Sequence, residues 1–130
     1  MRHSIRVPLA LILLLMFLLG AGLGIVNYLQ KGAEAIISIA SELQTSIEQS
    51  EWLRAESSYQ HLIETWRKMS RYWPMLVHHQ ELDRIEESLT KLEVYLHYQE
   101  DKDSQAELNN LINLIRHIPQ RESLNLRNLF

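Results

Sequence analysis

Three titratable residues, His79, Asp83 and Glu86, are spaced i, i+4 and i+7, which puts them on one face of a helix. Side chains so placed can ligate a divalent metal. A complete site also needs a second His or acidic pair on a facing helix, and no stretch of the chain clearly supplies one. Acids near a helix N-terminus are favoured by its dipole in any case. The expectation is therefore no metal and no cofactor. A Gly-rich phosphate loop, a Gly-x-Ser-x-Gly elbow and a His-Glu-x-x-His pair are all missing from the sequence. The chain has no cysteine, which excludes disulfides, thiolate ligands, a cysteine nucleophile and lipidation at a lipobox. Its chemistry points away from an enzyme.

The remaining aromatic and histidine positions read as structure. Trp52, Tyr59, Trp66 and Trp73 could stack on a sugar or peptide, but their heptad spacing assigns them to a core. His61 and His97 fall on outward positions. His78 falls on an apolar seam, where a hydrogen-bonded core histidine is expected.

Charge narrows the partners. Arg2 and Arg6 precede the first apolar run, and the rest of the chain sets 11 Lys and Arg against 16 Asp and Glu. An acidic domain with scattered basic residues is a poor match for nucleic acid or anionic headgroups.

These side chains must be carried by helices. Val7 to Leu29 contains no charged residue. At ~1.5 Å per residue such a helix crosses the ~30 Å hydrocarbon core. Basic residues ahead of it place residues 1–6 in the cytoplasm, 7–29 in the membrane as a signal anchor, and 30–130 outside. The rival reading is a cleaved signal peptide, since Gly20-Ala21-Gly22-Leu23-Gly24 offers small residues at cleavage spacing. Gly20 and Gly24 also form a small-xxx-small pair through which two spans can approach as a homodimer.

Beyond the span the sequence predicts helices near 34–49, 51–72, 76–100 and 104–118, then a tail over 119–130. Ile36, Ala40, Leu43 and Ile47 stripe the first, and Gly32 is a soft point between it and the span. Ser50 can cap the next helix. Trp52, Ala55, Tyr59, Leu62, Trp66, Met69 and Trp73 recur at alternating intervals of 3 and 4, a heptad seam. Its bulky aromatics call for small neighbours such as Ala35, Ser38, Ala40 and Ser41. Pro74 breaks the phase. A second seam runs through Leu82, Ile85, Leu89, Leu92, Leu96 and Gln99, and extrapolates back to His78 and Met75. Ser104 with Glu107 reads as a capping box. Leu108, Leu111, Ile112, Ile115 and Ile118 face inward, and Pro119 stops that helix. The fold class is all-α: an N-terminal transmembrane helix, then a small antiparallel three- to four-helix bundle. Leu124, Leu126, Leu129 and Phe130 make the tail too apolar for a solvated end, so it should fold back on the bundle, with Asn128 bonding unpaired backbone groups.

Several landmarks together carry a resemblance: Trp52-x-x-Ala55, Trp66, the run from His79 to Glu86, and the ending His117-Ile118-Pro119, Glu122 and Leu126-Arg127-Asn128-Leu129-Phe130. Over nearly its whole length the chain resembles domain-of-unknown-function family 4363, small proteins mostly of Gram-positive, often spore-forming bacteria. The resemblance implies a bacterial membrane setting and no activity. It directs attention to His79, Glu81, Asn128 and Phe130, with Leu129 beside them, as interaction positions. The function expected is a non-enzymatic protein–protein interaction module with an unidentified protein partner. The alternative is a ligand-binding or sensory module for a wall or peptide fragment, which requires Trp66 or Trp73 to line an open pocket.

Overall fold

The computed structural model describes the backbone of residues 2–129 and the side chains of residues 5–128. Four helices follow in order: α1 (Arg2–Glu48), α2 (Trp52–Ser70), α3 (His79–His97) and α4 (Asp101–Leu129). A single 3-10 turn, Trp73–Met75, joins α2 to α3. No strand occurs among the described residues. Short turns make successive helices antiparallel. α1 packs against α2 and α4, and α3 closes the ring against α4 and, more thinly, α2.

α1 runs unbroken for 47 residues, about 70 Å at the helical rise. Its first part is bare: Leu11, Leu14, Phe17 and Leu23 are among many exposed apolar side chains. This is the one helix among the described residues long and apolar enough to cross a membrane. From Leu29 onward the same helix enters the core through Leu29, Ala33, Ile36, Ala40, Leu43 and Ile47. Burial of each large side chain there stabilises the bundle by roughly 1.5–3 kcal/mol.

Gly32 is not a soft point. A Cβ at that position would lie 2.9 Å from Met69 Cε and 3.1 Å from Trp73 Cζ2. The missing side chain lets α1 lie close against the end of α2, so Gly32 is where the indole of Trp73 fits. It takes the role expected of Ala35, Ser38 and Ser41, which are exposed; Ala40 is buried as expected.

The two predicted seams form the core. Ala55, Tyr59, Leu62, Trp66 and Trp73 are buried, as are Leu82, Ile85, Leu89, Leu92 and Leu96. Trp66 and Trp73 meet edge-on, with centroids 5.7 Å apart. The second seam does not extend outward as extrapolated. Met75 is 81% exposed, and His78 and Gln99 are exposed, while Val77 is buried. Between α2 and α3 the chain passes through the 3-10 turn and then an extended His78 at ψ 137, so an α-helical phase cannot carry through.

The helix ends differ from the sequence reading. Ser50 does not cap α2. It adopts φ 55 and closes α1, with Ser50 N–H donating to Ile47 O and Glu51 N–H to Ser46 O. Gln99, at φ 54, closes α3 with the same pair of bonds. Both are Schellman endings carried by residues other than glycine. Ser104 does not cap α4, which starts at Asp101. Its Oγ is buried without a hydrogen-bond partner, and Glu107 instead accepts from Ser88 Oγ at 2.7 Å. Asp101 and Asp103 already occupy the first turn, where the dipole favours them.

The tail over 119–130 is also corrected. α4 continues through Pro119 to Leu129. Proline costs the helix one backbone bond. Packing on both sides offsets the loss: Ile118 and Pro119 are buried, Arg121 pairs with Glu81, and Leu126 lies against Gly22.

Candidate functional site

The bundle has two unlike ends. At the one where α1 emerges toward its bare segment, the start of α3 and the last turns of α4 do not close on each other. A cavity of about 300 Å³ remains, lined by Val77, His78, Glu81, Ile118, Arg121, Glu122, Leu124, Asn125 and Asn128. A second cleft shares Val77, His78, Glu122 and Asn125, and adds the 3-10 turn and His79.

Three features place these side chains. The 3-10 turn after α2 leads into an extended His78, at ψ 137, which lies out of the seam and is exposed. Glu81 sits in the first turn of α3, favoured there by the dipole, with its side chain only 14% exposed. Arg121 reaches it from α4, two residues past Pro119. Had α4 ended at Pro119, the cavity would have lost most of its α4 wall.

The structure thus brings together residues that the sequence singled out separately. Glu81 and Asn128 line the cavity, and His79 borders the adjoining cleft. Asn128 is exposed and stands on a regular helix rather than in an irregular tail. Phe130 lies outside the described residues, as does the side chain of Leu129. His78, Arg121, Glu122 and Asn125 were missed. Their signal was available: Ile115, Pro119, Glu122, Leu126 and Leu129 continue the heptad of Leu108 and Ile112 across the proline.

The cavity's chemistry is recognition by charge and hydrogen bonds. Glu81 is engaged by Arg121, while Asn125 and Asn128 add amide donors and acceptors. His79, Asp83 and Glu86 are exposed, and among the described residues no three His, Cys, Asp or Glu side chains converge as metal ligands.

The aromatic stripe is core. Trp73 is fully buried and Trp66 nearly so, and both indole N–H groups lack partners. Trp66 contributes an edge to a shallow groove of about 220 Å³ between α2 and α3. Tyr59 spans that groove, donating from its hydroxyl to Leu89 O at 3.0 Å. Burial, then the nearby Glu93 and Glu56 carboxylates, hold the Tyr59 phenol well above its ordinary value.

With the architecture in view, comparison gives a family. Residues 23–129 match the family described as a domain of unknown function, DUF4363. The chain belongs to this family. The matched region contains the whole bundle and its cavity and leaves out most of the bare apolar segment. Neither curated proteins nor solved structures gave a match.

Proposed function

We propose that this DUF4363 protein is a single-span membrane protein whose bundle stands outside the cytoplasm and acts by binding a protein partner, without catalysis. The observation that carries the proposal is the continuity of α1. One helix is bare and apolar over its first part and forms a wall of the core over its second. Such a helix holds the bundle rigidly at the bilayer, with the cavity at its membrane-facing end. Arg2 and Arg6 ahead of the apolar segment support a cytoplasmic N-terminus. The contact between Gly22 and Leu126 supports a retained anchor, because cleavage near Gly24 would remove one side of it. Gly20 and Gly24 are exposed with open space at their Cβ positions, so pairing of two spans through them belongs to the same proposal.

Partner binding is assigned to the cavity around Glu81, Arg121 and Asn128. Single cysteines bearing a photocrosslinker at Asn125 and at Lys102, exposed at opposite ends of the bundle, test it in native membranes. The expected result is one discrete protein adduct from Asn125→Cys and none from Lys102→Cys. Adducts of equal yield from both sites, or from neither, would contradict it. The second reading, a small-ligand module, draws on the groove beside Trp66. It predicts that a wall or peptide fragment quenches tryptophan emission of the bundle.

A further inference from the structure

α4 outruns the bundle. On α1 the continuous core begins at Leu29, yet Leu126 packs against Gly22, two helical turns nearer the N-terminus. A Cβ at Gly22 would fall 2.7 Å from Leu126 Cδ2. Gly22 is buried within a stretch where Leu19, Leu23 and Ile25 are all exposed. The last turns of α4 therefore lie alongside the bare apolar segment, beyond the end of the core.

This position has a consequence in a bilayer. A hydrocarbon core needs about 20 helical residues, so a span beginning at Val7 leaves it near Val26. Gly22 then sits roughly 6 Å inside that boundary, at ~1.5 Å per residue. The Leu126 side chain packed on Gly22 is brought to the same depth. Leu124, two positions back on α4, is 55% exposed. Arg127 is exposed on the next turn, with a stem long enough to carry its guanidinium back to lipid phosphates.

We propose that the end of α4 is seated in the outer-leaflet interface, a second membrane contact made by Leu124, Leu126 and Arg127 beside the span. It rests on the anchoring reading above. The occupant of this face is lipid rather than a second copy, because the face continues the exposed apolar surface of the span, and Arg127, one residue deeper than Leu126, has a stem that carries its charge back to the headgroups. Two contacts fix the tilt of the bundle, and the cavity then opens sideways, along the membrane plane.

The full chain lacks cysteine, so Phe17→Cys, Leu124→Cys and Lys102→Cys can each carry one environment-sensitive fluorophore. All three positions are exposed, so the labels do not disturb the core. Each is reconstituted in phosphatidylcholine–phosphatidylglycerol vesicles containing lipid spin-labelled high on the acyl chain. The label at 124 should lose at least half of its emission, as an interfacial group does, and the label at 102 almost none. If 17 is quenched and 124 behaves like 102, the anchor stands and the seating of α4 is wrong. If neither 17 nor 124 is quenched, the anchoring reading itself fails. Quenching at 124 that emerges only when the protein is diluted in lipid would mean that a second copy covers this face, which also overturns the assignment.

Discussion

The two ends of the bundle solve the same geometric problem in opposite ways. At the far end α1 and α3 are each joined to the next helix by only three residues, through a left-handed residue, Ser50 or Gln99, that returns the chain at once. At the near end α2 hands over to α3 through eight residues containing Pro74, and α4 does not stop with the core at all. The loose end leaves a cavity and exposes His78, His79 and Arg121 around it. The proposed partner site lies at the end where helix termination is least economical, which is also where the apolar segment departs.

If the near end is nonetheless anchored by packing, its aromatic floor must be indispensable. Trp73→Ala should cost about 3–5 kcal/mol, the usual loss for a large buried side chain. Trp52→Ala at the far end, where the indole is only half-buried, should cost less. Thermal unfolding of the two variants checks this, and equal losses would erase the distinction between the ends.

Tyr59 joins α2 to α3 midway between them. Tyr59→Phe should cost roughly 0.5–1.5 kcal/mol for the hydrogen bond to Leu89 O. The pH dependence has a definite sign. The folded-state phenol is held above its unfolded value, so its contribution is complete below about pH 10 and is lost as pH rises beyond it. A pH titration of the melting temperature should show a steeper alkaline fall for the native chain than for Tyr59→Phe.

The far end can be improved, and the near end cannot without touching the site. Gln99→Gly should raise stability by roughly 0.5–1 kcal/mol, because glycine adopts the left-handed conformation without the Cβ penalty. Ser104→Ala should be neutral or stabilising by a few tenths of a kcal/mol, since it removes a buried hydroxyl without a partner. A loss near 1 kcal/mol would restore the capping role that the sequence suggests.

Sequence and structure agree over the interior of each seam, where periodicity governs. The seams through Ala55, Tyr59 and Leu62, and through Leu82, Ile85 and Leu89, are core. They part wherever a single residue was read by its usual local meaning. Pro119 normally ends a helix, yet here the packing of Arg121 and Leu126 beyond it outweighs one lost backbone bond. Ser104 with Glu107 matches a capping box, but burial of Ser104 at the α4 start takes its hydroxyl away from that task. Gly32 reads as flexibility, whereas its size is what matters, and the partner that requires it lies 41 residues away in Trp73. The cavity was half legible: resemblance pointed to His79, Glu81 and Asn128, but without a helical α4 nothing placed them together.

In the proposed arrangement one continuous helix ties the bundle to a membrane and holds it outside the cytoplasm. Lys102, exposed at the far end, is the position to probe, because Ser104 nearby is buried. In intact cells without an outer membrane, Lys102→Cys should react with a membrane-impermeant maleimide, and the labelled chain should remain in the membrane fraction after carbonate washing. Labelling only after lysis would reverse the orientation, and release of the labelled chain by the wash would refute the anchor.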